Sequence, residues 1–347
     1  YAPMDVASGE RVFRICRNYG LNHMRFHSFC PPEAAFIAAD LVGFYLQPEG
    51  PSWPNHGPRL GNGQPIDKYL MDETIALTKE YGNYASYCML ASGRWVAWVS
   101  KFVDYWKATD PRRVYTGASV GNSWQWQPHN EYHVKAGARG LSWAGAQPES
   151  ESDYRARIDT VKQPYVSHET GQWCVFPNFN EIRKYTGVNK AKNFEIFRDI
   201  LNDNHMGSQS HDFMMASGKL QALCYKHEIE KTLRTPDYAG FQLLALNDYS
   251  GQGTALVGVL DVFFEEKGYI NAEQFRRFCS PTVPLARIPK FVYANNETFH
   301  ADIEVSHFGA APLESAKTVS GDAAATQNQV DAATNTLKSA QEGLKEK

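Results

Sequence analysis

The fold is decided by the stretch 164–173, which reads Pro-Tyr-Val-Ser-His-Glu-Thr-Gly-Gln-Trp. Its Tyr-Val pair is a short apolar run typical of a buried strand, and a polar cluster follows at once. Gly171 permits a sharp turn, because glycine adopts backbone angles closed to other residues. A carboxylate that leaves a buried strand beside a histidine and an aromatic ring is a candidate nucleophile or acid/base. The alternative is that Glu169 is a solvated residue at a strand end.

The composition indicates a globular chain. Its 347 residues are 43% hydrophobic and carry a formal net charge of -3, which supports one large core or two modest ones. This charge leaves no basic face, so nucleic acid is not a predicted partner. No apolar run is long enough to span a bilayer, and no signal-peptide pattern is visible at the start. The six cysteines are scattered without C-x-x-C spacing, so we predict reduced thiols and no metal site or cofactor.

Short apolar strands alternate with helices along most of the chain. Strands are predicted over 22–29, 43–47, 87–91, 114–117, 140–143, 165–168 and 240–246. Helices are predicted over 6–19, 32–40, 66–81, 95–106, 153–160 and a long region 193–233. Such alternation favours a parallel sheet. Polar or aromatic residues follow nearly every strand, and a (β/α)8 barrel builds its active site at those strand ends.

We therefore predict an α/β fold, a (β/α)8 TIM barrel over residues 1–280. An open doubly wound sheet is the alternative, but no G-x-G-x-x-G or G-x-x-x-x-G-K motif is present. The first barrel strand would precede Tyr1, so we expect the chain to begin inside the barrel with that strand missing. A barrel without its first strand has two open edges, which something else must cover.

The pattern changes after residue 281. Residues 291–293 and 302–305 alternate like antiparallel strands, which predicts the start of a β-sandwich over 281–313. A helical tail is predicted over 314–347, with apolar residues at heptad spacing at Val330, Ala333, Leu337, Ala340 and Leu344. An oligomer formed through this tail is one interpretation, and a solvated or loosely docked helix is the other.

Three of the predicted strands carry a family resemblance. The segments at 87–91, 165–168 and 240–246 together resemble the barrel domain of glycoside hydrolase family two, which includes β-galactosidases, β-glucuronidases and β-mannosidases. The resemblance covers residues 1 to about 313 and extends to the large galactosidase-like members of gut polysaccharide-degrading bacteria. It implies hydrolysis, with retention, of a terminal β-linked, galactoside-like sugar from an oligosaccharide or polysaccharide. It also implies a periplasmic or secreted protein.

The resemblance implies roles for individual residues near Glu169. The segment 167–171 resembles the family's nucleophile strand, which places the nucleophile on Glu169. Strand alternation then predicts that His168 points to the opposite face, as a packing residue.

Other strand ends resemble the family's sugar pocket. The segment 22–32 resembles the strand that carries Arg25 and His27 into the pocket, and 47–49 resembles the strand end where Glu49 lines it. Further candidates for contact with the carbohydrate substrate are Trp53, Trp143, Trp173 and Asp248. The alternatives are strand-end packing for Arg25 and His27, core packing for the tryptophans and a turn cap for Asp248.

The general acid of the resembled family is absent from its expected place. Retaining hydrolysis uses two carboxyl groups about 5–5.5 Å apart, and the family's acid lies in an Asn-Glu pair directly after the strand that 87–91 resembles. Here residues 92–95 read Ser-Gly-Arg-Trp instead. Positioned proton transfer is worth about 10²–10⁴-fold, so an impaired carbohydrate-binding or scaffold protein is the alternative function. Glu49 and Glu131 are possible substitute acids.

Overall fold

The computed structural model describes residues 3–51, 60–91, 96–117, 127–141, 143, 146–249, 253 and 255–309. Within these ranges the chain divides into two compact units. The first contains the residues up to Leu141 and those from Asp153 to Pro281, and the second contains the 142–152 segment and the residues from Thr282 onward. The prediction of one domain over 1–280 did not separate the 142–152 segment. Trp53, residues 92–95 and the predicted tail helix lie outside the described residues.

The first unit consists of alternating helices and short strands. Its helices are α1 Val6–Asn18, α2 Glu33–Val42, α3 Pro65–Tyr81, α4 Val96–Thr109, α5 Arg155–Ile158, α6 Lys192–Asp203, α7 Ser210–Arg234 and α8 Ala272–Arg276. Its strands are β1 His23–Arg25, β2 Tyr45–Gln47, β3 Met89–Ala91, β4 Val114–Thr116, β5 His133–Lys135, β6 Tyr165–Thr170 and β7 Tyr238–Leu243. Two short 3-10 helices span Phe179–Lys184 and Gly207–Gln209.

The helix boundaries follow from local sequence signals. Asp5 caps α1, because its carboxylate accepts a hydrogen bond from the Ser8 amide at 2.8 Å. The buried face of α1 includes Phe13 and Cys16, which lie three residues apart and therefore on one side of the helix. Gly43 ends α2 with a left-handed backbone, a conformation that glycine adopts without steric cost.

The strands pair in parallel, as predicted. β1 pairs with β2, β3 with β4, and β6 with both β5 and β7. Two isolated parallel bridges also occur, one between Leu46 of β2 and Tyr87, and one between Glu49 and Ala91 of β3. Side chains connect β7 with β1 and β2. The Gln242 side-chain amide lies 3.0 Å from Nε2 of His23 in β1 and 2.9 Å from Oε1 of Gln47 in β2. Among the described residues of the first unit, the ladders therefore form parallel sheets and no closed barrel.

Two strand predictions are wrong. The predicted strand over 140–143 is not one at its described residues, and β5 lies earlier, at His133–Lys135. The apolar-run criterion missed β5 because His133 and Lys135 are polar, yet both are buried. Residues 291–293 are likewise not a strand. The long region 193–233 contains two helices, α6 and α7.

The core of the first unit lies between its helices and strands. One large cluster of buried apolar residues contains Phe36, Leu46, Leu90, Phe102 and Tyr115 among its most buried members. All six cysteines are free thiols, as predicted, although Cys174 is exposed. In the described part of the chain, no helix combines the length and the apolar character needed to cross a membrane.

The second unit contains a small antiparallel sheet. β8 Thr282–Arg287 pairs with β9 Asp302–His307. Trp143 packs edge-on against Phe291 in this unit, with ring centroids 6.0 Å apart. An antiparallel pair agrees with the predicted strand type, while the β-sandwich itself stays a prediction.

Candidate functional site

Glu169 lies in a bulge at the C-terminal end of β6. Ser167 is paired with Phe241 and Thr170 with Leu243, so β6 has one extra residue between these two pairs. The φ angle of Glu169 is +48°, a left-handed conformation that residues with a side chain rarely adopt. The hydroxyls of Ser167 and Thr170 lie 2.7 Å apart and close the bulge. The side chain of Glu169 is 21% exposed at this edge of the sheet.

An arginine stabilises the backbone of the bulge. One nitrogen of Arg139, Nη1, donates to the carbonyl oxygen of His168 at 2.5 Å and to that of Glu169 at 2.7 Å. The Gln172 side chain donates to the Glu169 carbonyl at a longer 3.3 Å. The carbonyls that the bulge removes from the ladder are thereby satisfied.

Arg25 lies between two carboxylates. Its guanidinium forms a two-bond ion pair with Glu49, at 2.5 Å from Nε to Oε1 and 3.1 Å from Nη2 to Oε2. Its Nη1 atom lies 3.8 Å from Glu169 Oε1. The side chains of Arg25 and Glu49 are only 9% and 8% exposed. The structure therefore brings together Arg25, Glu49 and Glu169, which the sequence assigned to one site.

The Glu49 carboxylate has further partners. The Ser28 amide donates to Oε2 at 2.9 Å, and the Gln47 side-chain amide lies 3.5 Å from Oε1. With two bonds from Arg25 as well, both carboxylate oxygens are engaged. The Glu49 carboxylate is therefore held in place by Arg25, Ser28 and Gln47.

His168 lies beside Glu169 rather than on the opposite face. Its Nε2 atom is 3.6 Å from Glu169 Oε1, so the predicted opposite orientation is wrong. The bulge breaks the strand alternation on which that prediction depended. Burial lowers the pKa of His168 to about 2, and the charges of Arg25 and Arg139 add to the effect. His168 is therefore a neutral imidazole beside the candidate nucleophile.

A buried carboxylate of α7 holds the turns around the site. Glu228 is 1% exposed and accepts hydrogen bonds from the amide of Gly140 at 2.6 Å and that of Gly171 at 3.1 Å. It also accepts a bond from Trp173 Nε1 at 2.8 Å. Burial raises its pKa, and these hydrogen bonds oppose the rise. The sequence analysis missed Glu228 and Arg139, because only the folded chain brings them to the bulge.

The other residues predicted to contact the sugar lie in different surroundings. Trp173 is half-buried and bonded to Glu228, and His27 is exposed at the end of β1. Asp248 is fully buried, with its carboxylate 2.6 Å from Lys267 Nζ and bonded to the Gly258 amide at 3.0 Å. Trp143 belongs to the second unit, against Phe291. Their contacts with sugar stay predictions.

Both substitute acids accept hydrogen bonds from neighbouring groups. Glu49 is engaged as described, and Glu131 accepts a hydrogen bond from the Tyr115 amide of β4 at 2.9 Å. Tyr132, which precedes β5, is another buried group near Arg25 and Glu49. Burial raises its pKa well above the ordinary value, and the charge of Glu49 adds to the rise. No group of three or more potential metal ligands occurs among the residues that the structure describes.

Solved structures provide the comparison for this arrangement. A β-glucuronidase from Parabacteroides merdae is 14% identical, with 87% of this chain and 38% of that chain covered and a TM-score of 0.54. A galacturonate-bound family-two β-galacturonidase from Eisenbergiella tayi is 12% identical, with coverages of 78% and 48% and a TM-score of 0.54. A β-glucuronidase from Ruminococcus gnavus is 15% identical, with coverages of 78% and 45% and the same TM-score.

The chain has a fold similar to that of glycoside hydrolase family two enzymes. It spans less than half the length of each of these three structures. No protein-family model and no curated protein matches the sequence. At such low identity the likeness to the family-two enzymes concerns the fold alone.

Proposed function

We propose that the chain carries a glycosidase site that cleaves a terminal β-linked sugar with retention, with Glu169 as the nucleophile. The observation that carries the proposal is the position of Glu169. Its carboxylate stands at the bulged end of a parallel strand, part-exposed and 3.8 Å from the buried guanidinium of Arg25. The family-two-like fold supports the proposal, because its solved neighbours are β-glucuronidases and β-galacturonidases.

The proposed reaction has two steps. One oxygen of Glu169 attacks the anomeric carbon, and the bond to the leaving oxygen breaks with its electron pair going to the leaving group. Water then attacks the same carbon of the glycosyl-enzyme, loses a proton, and releases Glu169 as a carboxylate. Arg25 orients the attacking carboxylate, while the buried Glu49 holds Arg25 in place.

The first step needs a proton for an ordinary leaving group. The second carboxylate at the site, Glu49, is engaged by Arg25 and by the Ser28 amide. We therefore expect good reactivity with a leaving group that departs without a proton. We expect natural glycosides to react about 10²–10⁴-fold more slowly than they would with a positioned acid.

The charges near Glu169 favour a neutral sugar. A uronide carries a carboxylate at C6, which calls for an unengaged cation. Among the described residues, the two arginines that contact Glu169 are already engaged, Arg25 by Glu49 and Arg139 by backbone carbonyls. We therefore favour a β-galactoside over a β-glucuronide or β-galacturonide as substrate.

Covalent labelling tests the proposal. The protein is incubated with 2,4-dinitrophenyl 2-deoxy-2-fluoro-β-D-galactoside and, separately, with the matching glucuronide, and then weighed by intact-mass spectrometry. We expect one sugar to be added from the galactoside, mapped to Glu169, and no addition to the Glu169→Gln variant. Labelling at another residue, or equal labelling of both proteins, would overturn the assignment of the nucleophile.

The engagement of Glu49 favours a second candidate function, carbohydrate binding without turnover. In that case calorimetry with galactose would show saturable binding while the fluoroglycoside leaves the mass unchanged. Binding and labelling together would instead support the glycosidase.

A further inference from the structure

We infer that Arg139 is a positioning residue that holds the bulge of β6, and through it the carboxylate of Glu169, in the orientation for attack. The inference rests on the proposed function, because it assigns a role within the same site. It concerns a residue that reaches Glu169 only through the backbone.

The bulge requires an external donor. A bulged residue leaves the ladder, so its carbonyl oxygen loses the hydrogen bond that a regular strand would supply. Arg139 Nη1 donates to the carbonyl oxygens of two successive peptides, that of His168 at 2.5 Å and that of Glu169 at 2.7 Å. Regular pairing resumes directly afterwards, where the Leu244 amide donates to the Thr170 carbonyl at 2.9 Å. Arg139 thus bonds the part of β6 that β7 leaves without ladder partners.

The turn that carries Arg139 is itself held by hydrogen bonds. The next residue, Gly140, donates its amide to Glu228 Oε1 at 2.6 Å and accepts from the Tyr154 hydroxyl at 2.6 Å. The other oxygen of Glu228 accepts from the Gly171 amide at 3.1 Å. One carboxylate on the long helix α7 therefore holds both the turn that presents Arg139 and the turn that follows Glu169.

The direction of the Glu169 side chain depends on this frame. A residue in the left-handed region costs conformational energy and persists only where surrounding contacts impose it. Without the Arg139 bonds the bulge can relax toward regular pairing, and a one-residue change of register turns a side chain to the other face of the strand. A displacement of about 1 Å at a reacting group can lower the rate about 10²-fold. Chemistry should therefore suffer more than sugar binding.

The kinetics of labelling test this role. The first-order labelling constant and the half-saturation concentration are measured with 2,4-dinitrophenyl 2-deoxy-2-fluoro-β-D-galactoside. For Arg139→Met we expect the labelling constant to fall about 10²-fold and the half-saturation concentration to change less than about threefold. Arg139→Lys should recover part of the loss, and added guanidinium ion should partly rescue Arg139→Met. The control is Arg157→Met, which removes another arginine-to-carbonyl bond, to Gly137 at 3.2 Å, and should label like the unmodified protein.

A second readout does not depend on activity. Amide hydrogen exchange is measured for the peptide that covers residues 165–172 in the unmodified protein, Arg139→Met and Arg157→Met. We expect faster exchange of this peptide in Arg139→Met alone. Unchanged exchange together with unchanged labelling kinetics would overturn the inference. Absence of labelling in the unmodified protein would overturn the proposed function, and exchange would then decide alone whether Arg139 holds the bulge.

Discussion

The Nη1 atom of Arg25 lies 3.8 Å from the Oε1 atom of Glu169, while the rest of the guanidinium is bonded to Glu49. One buried cation is thus shared by two carboxylates from different strand ends. We therefore predict that Arg25 affects both the stability of the site and its proposed chemistry.

Replacing Arg25 tests its contribution to stability. Arg25→Met leaves Glu49 buried without its partner, and breaking a buried ion pair costs about 3–5 kcal/mol. We expect the free energy of unfolding in urea to fall by about that amount. The double variant Arg25→Met/Glu49→Gln removes the unpaired charge and should recover part of the loss. Equal stability of the single and double variants would show that the ion pair is not the cause.

Azide should accelerate turnover by the unmodified protein. With 2,4-dinitrophenyl β-D-galactoside the leaving group needs no proton, so we expect the glycosyl-enzyme to form. We expect it to react slowly with water, because Glu49, the second carboxylate beside Arg25, is held in an ion pair. Azide attacks without a base, and a base is worth about 10²–10⁴-fold. We expect turnover to rise at least about tenfold with sodium azide, and β-galactosyl azide to be identified by NMR.

Two results bear on the azide prediction. Glu169→Gln should show no turnover with or without azide, because the covalent intermediate cannot form. Fast turnover in water with no effect of azide would indicate that a general base is present. The missing Asn-Glu pair would then lower the rate less than expected.

Glu228→Gln should destabilise the turns around Glu169. Glu228 accepts hydrogen bonds from Gly140, Gly171 and Trp173. A glutamine has one acceptor oxygen, so at least one buried donor loses its partner, at a cost of about 1–3 kcal/mol. We expect a matching decrease in the unfolding free energy measured in urea. The surface variant Glu273→Gln, whose side chain is 83% exposed, should be unchanged.

Glu181 should make stability depend on pH. It is fully buried in the 3-10 helix Phe179–Lys184, and its Oε2 atom has no hydrogen-bond partner in the described part of the chain. Burial raises its pKa from 4.5 to about 7, the charges of Asp261 and Asp248 add to the rise, and Lys267 opposes it. Its contribution to stability is fully present below pH 4.5 and is lost as the pH rises through about 7.

The variant Glu181→Gln cannot ionise, so this part of the pH dependence should disappear. The shift corresponds to about 3 kcal/mol. We expect Glu181→Gln to melt at a higher temperature than the unmodified protein at about pH 8 and at a similar temperature at about pH 5. Parallel melting curves for the two proteins across this range would contradict the assignment, and Glu273→Gln again provides the control.

Local patterns predicted most of the secondary structure correctly. Helices such as α1 and α3 have an amphipathic period and clear end signals, and both appear within a residue of their predicted bounds. The prediction failed at β5, whose residues His133 and Lys135 are polar and buried. Burial of a polar strand depends on partners distant in sequence, so no local pattern reveals it.

The sequence by itself predicted the parallel pairing of short strands and the strand-end position of Glu169, and the family resemblance grouped Glu169 with Arg25 and Glu49. The tertiary structure alone decided the bulge at Glu169, the approach of His168 and the support from Arg139 and Glu228. The physical reason is that a bulge depends on which backbone groups find hydrogen-bond partners. At Glu169 those partners come from an arginine and a helix carboxylate that are far away along the chain.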